Sequence, residues 1–386
     1  MSDYKPGFYE FFAGGGMARV GLGEDWNCLF ANEFCEKKAA GYRLNFGPSE
    51  ELKVDDVAHL VAEDIPRRAT LAWASFPCQD LSLAGNGKGL AGKRSGSFHG
   101  FWDLIEALEA QGRGVPIVVL ENVVGAITSN NGRDFRTILE IMTEAGYRVG
   151  PLVIDAARFV PQSRPRLFLV AVKRDVQLPP NLVQGEPGPA WHNNALVKAY
   201  GGLTESLQES WIWWRVAEPD RMVAEITQLI EKEPKDVSWH TPEETMRLLS
   251  LMSETNREKV RKAQAYGKVI VGTVYKRGRP GENGETTQRA EVRFDQISGC
   301  LRTPTGGSSR QLILVVNGKS IRSRLLSPRE AARLMGVPES YKLPEKYNEA
   351  YHLMGDGLAV PVVRWLGKQL LSPLARIING QVRKVA

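Results

Sequence analysis

Between residues 7 and 175 the chain alternates short apolar runs with longer amphipathic stretches, and this alternation restricts the folds available to it. The apolar runs predict buried strands, and the amphipathic stretches predict helices that cover the faces of a sheet. Such alternation is typical of βαβ units, so we expect an α/β fold on a parallel sheet. Predicted strands cover Gly7 to Phe12, Cys28 to Asn32, Thr70 to Ala74, Ile117 to Glu121, Tyr147 to Asp155 and Leu167 to Lys173. One helix is predicted directly after the glycine turn that ends the first strand. Further helices are predicted over Glu36 to Asn45, Phe98 to Ala110 and Phe135 to Ala145.

Beyond Asp175 the periodicity is lost. Prolines and glycines between 178 and 189 predict a linker, followed by an irregular region up to about Gly318. Within that region, residues 268 to 276 alternate like strands, and residues 277 to 285 predict a polar turn or loop.

Regular structure is expected again near the C-terminus. Ser327-Pro328-Arg329-Glu330 forms a capping box with proline at the first helical position, and Gly336 is the matching stop signal. A final amphipathic helix is expected from Val360 to Leu371, ending before Pro373.

Composition excludes several classes of protein. No apolar run approaches the roughly 20 residues of a membrane span, and the N-terminus lacks a secretory h-region, so we expect a cytoplasmic protein without membrane contact. The four cysteines show neither zinc-ligand spacing nor disulfide density, so no metal site is expected. Between Arg257 and Arg329 there are 16 Lys and Arg residues against five Asp and Glu. Because the whole chain carries a net charge of only +6, this basic block indicates a polyanion-binding face, with an ordinary solvated surface as the alternative.

A glycine-rich turn follows the first predicted strand, in Phe11-Phe12-Ala13-Gly14-Gly15-Gly16-Met17. Small residues between a strand and a helix let a ligand approach the backbone amides closely. Glu33 ends the next predicted strand, where nucleotide-binding α/β folds place a carboxylate for ribose hydroxyls. The glycine-rich turn and Glu33 together favour a site for a nucleoside cofactor over a purely structural turn.

Three further motifs follow in order. Pro77-Cys78-Gln79 comes just after a predicted strand, where a side chain can reach a ligand crevice, although a lone cysteine can also be a buried thiol. Glu121-Asn122-Val123 ends another predicted strand, and Gln162-Ser163-Arg164-Pro165-Arg166 begins the last. The alternation of Arg164 and Arg166 predicts that both point to one side of the chain.

In order and spacing these motifs resemble those of the DNA cytosine-5 methyltransferases of bacterial type, over residues 7 to 371. The resemblance implies a Rossmann-like, S-adenosylmethionine-dependent methyltransferase sheet with a second, smaller target-recognition domain. The implied domain boundaries are 1–176 for the N-terminal catalytic part, 177–318 for the recognition domain, and 319–386 for a C-terminal part that returns to the catalytic domain.

The resemblance also implies a cofactor site. The residues it assigns to S-adenosylmethionine are Phe12, Ala13, Gly14, Gly15, Gly16, Met17, Glu33, Phe34, Asp56, Val57, Pro77 and Asp356. Phe34 would stack on the adenine, and Asp56 with Val57 would contact its edge, although Asp56 can equally be a helix cap. Met17 departs from the family's usual glycine, and Asp356 from the asparagine of its last motif.

The implied chemistry centres on Cys78. A thiolate that adds to carbon 6 of cytosine makes carbon 5 nucleophilic enough to accept a methyl group, and cysteine is suited to that step. Glu121 would share a proton with ring nitrogen 3, Arg166 would bind the base, and Arg164 would support the nucleophile. Structural roles for Glu121 and the two arginines are the alternative.

The implied substrate is double-stranded DNA with one base extruded from the stack. The five glycines and three cations of Gly85 to Ser97 predict a loop that closes over DNA. Expected DNA contacts are Gln79, Ser82, Lys88, Lys93, Arg94, Arg302 and Arg310. Trp211, Trp213 and Trp214 favour a core position over DNA contact.

Two other functions stay open: methylation of transfer RNA, and DNA binding without catalysis. We expect a monomer, with any cognate restriction endonuclease acting separately.

Overall fold

The structure is a computed structural model that describes residues 5–77, 97–220, 224–280, 285–303 and 310–385. The backbone forms two compact units. The larger comprises Met1–Asp155, Pro165–Asp220 and Val360–Ala386, and the smaller comprises Ala156–Arg164 and Arg221–Ala359. The functional domains expected at 1–176, 177–318 and 319–386 have boundaries that differ from those of the two units. They stay a prediction that this division does not test.

The strands of the described residues fall into three sheets. In chain order they are β1 Gly7–Phe11, β2 Asn27–Glu33, β3 Leu52–Val54, β4 Leu71–Ala74, β5 Ile117–Val123, β6 Tyr147–Asp155, β7 Pro165–Lys173, β8 Val183–Gln184, β9 Trp213–Trp214, β10 Ile270–Pro280, β11 Thr286–Arg293, β12 Leu312–Asn317 and β13 Ser320–Leu325.

The α-helices of the described residues are mostly short. In chain order they are α1 Met17–Leu22, α2 Glu36–Phe46, α3 Ser97–Ala110, α4 Arg133–Glu144, α5 Asn194–Gly201, α6 Glu205–Glu209, α7 Ile226–Leu229, α8 Pro242–Ser250, α9 Glu254–Ala265, α10 Pro328–Leu334, α11 Tyr347–Asp356, α12 Val360–Leu366 and α13 Ser372–Val385. None of the helices in these ranges is both long enough and apolar enough to cross a bilayer.

A seven-stranded sheet forms the centre of the larger unit. Its strand order is β3-β2-β1-β4-β5-β7-β6. The strands from β3 to β5 pair in parallel, whereas β7 runs antiparallel to both β5 and β6. The α/β fold with a largely parallel sheet is therefore confirmed.

Aromatic and aliphatic side chains fill the layer between this sheet and its helices. Phe11 of β1 contacts Phe101 of α3 edge to face, with ring centroids 4.9 Å apart. Trp211, Trp213 and Trp214 are also buried in this unit, so the prediction that they belong to the core is confirmed. Burial of such large rings supplies much of the hydrophobic stabilisation of a domain.

The end of the larger unit differs from expectation. The final helix was predicted to end before Pro373, but α12 passes through a π-helical turn at Gly367–Leu371 into α13, which runs to Val385. Proline is tolerated there because it occupies the first turn of the new helical segment, where its missing N–H is not needed.

The smaller unit is built around an antiparallel sheet with strand order β11-β10-β12-β13. Helices α8 and α9 contribute Leu248 and Val260 to a core that also contains Val274 and Leu314. The expectation of an irregular region was therefore wrong for this stretch, because its hydrophobic residues are spread over short elements whose polar faces obscure the periodicity. Strand β10 extends to Pro280, so the loop predicted from Arg277 begins later.

The capping box at Ser327 is confirmed. The Glu330 amide donates to Ser327 Oγ at 3.1 Å, the Ser327 amide donates to Glu330 Oε2 at 2.7 Å, and α10 ends before Gly336. Glu330 also forms a fully buried ion pair with Arg324, at 2.6 Å. The box therefore anchors α10 to the last strand of the smaller unit.

Candidate active site

The predicted cofactor loop lies at the carboxyl end of β1. Phe12 has a φ of 57°, in the left-handed region that is costly for a residue with a side chain, and Gly14 and Gly16 have φ values of 57° and 76°. A Cβ at Gly14 would meet no atom within 4 Å, whereas one at Gly16 would lie 2.4 Å from the Phe46 ring. Gly14 therefore borders open space, while Gly16 is required by packing. Strained backbone of this kind is found at ligand sites.

Glu33 holds the loop from the neighbouring strand. Its side chain is 6% exposed; Oε2 accepts a hydrogen bond from the Gly14 amide at 2.7 Å, and Oε1 accepts one from the Cys35 amide at 2.9 Å. A carboxylate has about four acceptor positions, so capacity for hydroxyl donors remains. Phe34, the next residue, leaves 70% of its surface exposed, which provides an uncovered aromatic face.

The other predicted cofactor residues have mixed environments. Ala13 and Met17 are buried. Met17 is the first residue of α1, and its side chain does not line open space. Asp56 Oδ1 accepts from the Ala58 amide at 3.1 Å and caps a short 3-10 helix in which Val57 is buried. The capping role that the sequence left open for Asp56 is thus present.

Glu10 is a site residue that the sequence analysis missed. It lies on β1, is 2% exposed, and accepts hydrogen bonds at Oε1 from the amides of Ala18 and Arg19 at the start of α1, at 3.0 and 3.4 Å. Burial raises the pKa of the Glu10 carboxyl to about 8, although these amides oppose the shift. Its Oε2 atom is buried without a partner among the described residues. A charged residue within an apolar strand, directly before a glycine turn and a helix, was the available signal.

Glu121 and Arg166 form an ion pair at the edge of the same sheet. Antiparallel pairing sets Val123 opposite Arg166, so Glu121 becomes the diagonal neighbour of Arg166 on one face. Arg166 Nε lies 3.1 Å from Glu121 Oε1, and both side chains are largely buried. A guanidinium held in this way fixes the orientation of the carboxyl group.

Asn122 ties β5 to the segment that leads into Pro77-Cys78. Its Nδ2 donates to the Phe76 carbonyl at 3.3 Å, and its Oδ1 accepts from the Val123 amide at 2.8 Å. Strands β1, β4 and β5 are neighbours in parallel, with Phe11 paired to Ala74 and Ala74 to Leu120. The cofactor loop, Pro77 and Glu121 therefore share one carboxyl edge, where open α/β sheets bind ligands.

Cys78 and the predicted DNA contacts Gln79, Ser82, Lys88, Lys93 and Arg94 lie outside the described residues. In the part of the chain that the structure does describe, no group of three or more His, Cys, Asp or Glu residues is arranged to hold a metal ion.

Arg164 and Arg166, expected to share one side of the chain, have different partners. Arg164 belongs to the smaller unit and is 4% exposed. It donates from Nη1 to the Leu301 carbonyl and from Nη2 to the carbonyls of Gly355 and Gly357. It also donates from Nη1 to the Cys300 sulfur at 3.3 Å, and these partners all belong to its own unit.

The remaining predicted residues of the smaller unit differ in exposure. Arg302 and Asp356 are exposed, and Arg310 is half-buried, with a hydrogen bond to Asn348 and its guanidinium over the Tyr347 ring at 5.3 Å. Arg310 is therefore partly engaged within the protein.

The β10–β11 hairpin carries an unusual pair of like charges. Arg277 and Arg289 are directly opposite each other in the antiparallel register, and both are exposed. Like charges directly opposite each other destabilise a sheet. Glu291 lies 3.7 Å from Arg277, and we find no ion-pair partner for Arg289 in the described part of the smaller unit. The pair therefore adds to the basic patch of this unit, and clustered Lys and Arg residues are the electrostatic footprint of a polyanion-binding surface.

Comparison with known proteins gives a consistent family. A family model described as C-5 cytosine-specific DNA methylase matches residues 7–372. The Type II methyltransferase M.HhaI of Haemophilus parahaemolyticus is 26% identical over 369 residues, which cover 95% of this chain and 94% of that protein. Two solved structures have similar folds: the S. pombe Dnmt2 methyltransferase, with a TM-score of 0.56 and 19% identity, and the Entamoeba histolytica methyltransferase EhMeth, with a TM-score of 0.62 and 15% identity. Each alignment covers 96% of this chain and 99% of the other.

Proposed function

This chain belongs to the C-5 cytosine-specific DNA methylase family, and we propose that it methylates carbon 5 of an extruded cytosine in a specific duplex sequence through a covalent Cys78 adduct. It is a DNA (cytosine-5)-methyltransferase, and its methyl donor is S-adenosylmethionine. The observation that carries the proposed mechanism is the Glu121–Arg166 pair at the sheet edge that Pro77 also reaches.

Cys78 is the proposed nucleophile. Its thiolate forms a bond to carbon 6 of the cytosine ring, and the electron pair of the 5,6 double bond moves to carbon 5. When bound, S-adenosylmethionine would supply an electrophilic methyl group, whose bond to the sulfonium sulfur breaks as carbon 5 takes the methyl and S-adenosylhomocysteine leaves. The carbon 5 proton then passes to solvent, the electron pair of its bond re-forms the 5,6 double bond, and the Cys78 sulfur leaves carbon 6 as a thiolate. The nucleophile is regenerated, so the residue acts catalytically.

Glu121 and Arg166 are the proposed partners of the base. A carboxyl at ring nitrogen 3 shares a proton there and neutralises the charge that develops when the thiolate adds. Arg166 holds that carboxyl from Nε, its Nη1 donates to the Pro165 carbonyl at 2.9 Å, and we assign its guanidinium to the exocyclic oxygen of cytosine. Asn122 positions the segment before Cys78 through the Phe76 carbonyl.

The larger unit has features that suit the methyl donor. Open space at Gly14, the carboxylate of Glu33 and the exposed ring of Phe34 occur together at the ends of β1 and β2. We assign the methionine end to the Gly14 turn, the ribose to Glu33 and the adenine to Phe34. Asp56 and Asp356 stay predicted contacts.

DNA binding is proposed for the basic face of the smaller unit. Arg277 and Arg289 oppose each other across the hairpin, and Arg302, eight residues before the expected contact Arg310, is exposed. Phosphate contacts by such cations supply most of the non-specific affinity for DNA. Lys88, Lys93 and Arg94 are proposed to contact the backbone around the extruded base.

A role in restriction and modification is proposed from the relatives. The M.HhaI relative is called a Type II methyltransferase. We propose that this enzyme likewise marks one recognition sequence in the bacterial cytoplasm, as a monomer, with any cognate endonuclease acting separately.

The test is covalent trapping on DNA. Genomic fragments amplified with 5-fluorodeoxycytidine triphosphate are incubated with the enzyme and S-adenosylmethionine, because fluorine at carbon 5 cannot leave as a proton would. We expect a denaturation-resistant complex with the wild type and none with Cys78→Ser. Labelled methyl transfer to duplex DNA and to transfer RNA is measured in parallel. Transfer to RNA alone, or no adduct at all, would refute the proposal.

A further inference from the structure

Glu10 is a buried carboxyl that the proposed mechanism does not use. It lies on β1, four residues before Gly14, and only 2% of its surface is exposed. Its Oε1 atom accepts hydrogen bonds from the amides of Ala18 and Arg19 at 3.0 and 3.4 Å. Its Oε2 atom is buried and has no hydrogen-bond partner among the described residues. Because burial of a charged carboxylate with one oxygen unpaired is costly, this position favours the neutral acid.

A second carboxyl group lies on the same face of the same sheet. Strand β2 pairs in parallel with β1 so that Glu10 is opposite Ala31, and Glu33 is two residues further along β2 on the same face. Glu33 in turn accepts the hydrogen bond from the Gly14 amide at 2.7 Å. On the other side of β1, Glu10 is opposite Trp73 of β4, which carries no charge. Two carboxyl groups beside one turn repel each other when both are ionised.

Three further groups interact electrostatically with Glu10, and each keeps its charge state near neutral pH. Burial opposes the charge of Arg19 on α1, but Tyr42 and Glu51 outweigh it and raise the pKa of the guanidinium. Burial raises the pKa of the Cys28 thiol on β2 to about 12, and it also raises the pKa of the Tyr42 hydroxyl on α2. A change of protonation among these groups near neutral pH therefore belongs to Glu10.

The charge of a ligand at the glycine turn should reach Glu10. Four residues of chain span at most about 14 Å, so Glu10 and a ligand at Gly14 are close enough to interact. At about 10 Å and an effective dielectric constant of about 20, the attraction between unit charges changes an equilibrium constant about tenfold. S-adenosylmethionine carries a positively charged sulfonium, whereas the sulfur of S-adenosylhomocysteine is a neutral thioether. Only the donor therefore brings a sulfur charge that stabilises an ionised Glu10.

We propose that Glu10 releases its proton when the cationic donor binds and regains one when the neutral product remains, so that its charge state favours S-adenosylmethionine over S-adenosylhomocysteine. The inference rests on the proposed function, which assigns the methionine end of the donor to the Gly14 turn. On donor binding the O–H bond of Glu10 breaks, its electron pair stays on the carboxylate, and the proton passes to solvent. After methyl transfer a proton returns from solvent, and the attraction that held the donor is lost.

The inference fixes the direction of a pH dependence. Burial raises the pKa of Glu10 to about 8, an effect that the Arg19 and Ala18 amides oppose and the charge of Glu33 reinforces. Below this pH donor binding must displace the proton, whereas above it the carboxylate is already formed. The affinity of the wild type for the donor, relative to that of Glu10→Gln, should therefore rise about tenfold between pH 6 and 8.5.

Glu10→Gln is the informative variant because its neutral amide keeps the shape of the protonated acid and can still accept from the Ala18 and Arg19 amides. The ammonium group of the ligand also titrates near this range. It does so with both proteins, so the comparison between them removes its contribution. The matched control is Glu24→Gln, which removes an exposed carboxylate outside the cofactor loop.

Isothermal titration calorimetry of the three proteins with S-adenosylmethionine and with S-adenosylhomocysteine, at pH 6, 7 and 8.5, gives the dissociation constants. Two buffers of different ionisation enthalpy report the protons released. At pH 7 we expect the wild type to release about half a proton more than Glu10→Gln on binding the donor, and no more than Glu10→Gln on binding the product. Glu24→Gln should behave as the wild type. If Glu10→Gln does not fold, the infrared band of the protonated carboxyl carries the test, since donor but not product should remove it from the wild type.

Three results are distinguishable. If Glu10 only stabilises the turn, Glu10→Gln would weaken the binding of donor and product by the same factor at every pH, which would overturn the inference. A wild type that methylates DNA, but whose donor affinity relative to Glu10→Gln does not change with pH, would also overturn it while leaving the function intact. A wild type that binds neither ligand and does not methylate DNA would instead refute the proposed function.

Discussion

At the scale of single residues, the reactivity proposed for Glu121 depends on the Arg166 guanidinium, which the pairing of β5 with β7 holds beside it. The diagonal position of Arg166 across the β5–β7 pair sets the Nε–Oε1 distance of 3.1 Å without help from a loop. Backbone hydrogen bonds along the pair fix both Cα positions, so only side-chain rotamers remain free. Such rigidity favours catalysis, because the groups need little reorganisation when charge develops.

Replacement of Arg166 by lysine should separate binding from chemistry. A lysine keeps the charge, but it cannot hold Glu121 and donate to a base at once, so we expect kcat to fall by about 10²-fold or more. The readout is kcat and KM for methyl transfer, with thermal melting to check the fold. As a control, Arg158→Lys changes the same residue type outside the predicted site and should leave kcat near that of the wild type. An Arg166→Lys enzyme with normal kcat would contradict the role given to the guanidinium.

Glu10 should make stability depend on pH in an unusual direction. Its folded-state pKa of about 8 lies above the ordinary value of 4.5, so between these values the folded state holds a proton that the unfolded state has lost. The stabilisation is present at the low end of this window and is lost as pH rises through about 8, with an upper limit of about 5 kcal/mol. Urea unfolding of wild type and Glu10→Gln between pH 5 and 8.5 measures the difference between their slopes.

We expect the wild type to lose stability relative to Glu10→Gln across that window. The matched control is Glu24→Gln, which removes an exposed carboxylate from the 3-10 helix that follows α1. The dependence of its stability on pH should run parallel to that of the wild type. Arg19, Glu33 and Cys28 also interact electrostatically with Glu10, so the difference between the two slopes includes the loss of these interactions in Glu10→Gln. Parallel curves for wild type and Glu10→Gln would show that the carboxyl does not titrate in this range.

Single residues also show what a sequence can and cannot reveal about the site. Glu121 and Arg166 were predicted from motif order, and the structure brings them together. Arg164 was predicted from the same motif as support for the nucleophile, but its partners at 301, 355 and 357 are distant in sequence, and no local pattern encodes them. Glu10 was overlooked because its burial follows from the sheet, not from its neighbours.

At the scale of elements, strands buried on both faces were the most predictable feature. Strand β4 ends at the predicted Ala74 and strand β5 begins at the predicted Ile117, because continuous, fully buried apolar runs leave little choice of limits. The helix that passes Pro373 was not predictable in this way. A π-helical turn at Gly367–Leu371 inserts an extra residue and resets the helical phase, and a proline that breaks one register can begin the next.

Close packing between α1 and α12 leads to a prediction about helices. A Cβ on Gly21 would lie 2.4 Å from Val363 Cβ, and it would also approach the Val360 carbonyl at 3.1 Å. We expect Gly21→Ala to lower the free energy of unfolding by about 1–3 kcal/mol, because the two helices must separate to admit it. Gly380→Ala is the same change in a helix with open space, and it should raise stability by about 0.5–1 kcal/mol. Chemical denaturation of both variants tests the difference in sign.

If Gly21→Ala were as stable as the wild type, α1 and α12 would be less tightly packed than the structure indicates. The comparison matters for the cofactor loop, since α1 begins at Met17, directly after the glycine turn. A shift of α1 should therefore also weaken S-adenosylmethionine binding. The Gly380 variant should bind the donor normally.

At the scale of the whole molecule, positive charge is concentrated in one part of the chain. Arg257 to Arg329, the basic block, lies within the smaller unit, whereas the predicted catalytic carboxyl and cofactor loop belong to the larger. The sequence predicted this separation of charge but not the limits of the units, because residues 156–164 join the smaller unit through contacts with 298–301 and 334. Contacts over such distances are a property of the folded chain.

The basic block predicts opposite effects of one substitution on stability and on DNA binding. Arg289→Gln removes the repulsion from Arg277 across the hairpin, so the free energy of unfolding should rise by about 0.2–0.5 kcal/mol. The same change removes a cation from the proposed DNA face, so affinity for duplex DNA should fall about tenfold, and the slope of log K against log salt should become shallower by about one. Arg376→Gln, an exposed arginine of α13 outside the basic block, alters net charge equally and should leave the slope unchanged. Fluorescence anisotropy from 50 to 300 mM salt measures the affinity and its salt slope, and chemical denaturation measures the free energy of unfolding. Equal losses in the two variants would mean that DNA responds to total charge alone, and the hairpin would then have no special part in binding.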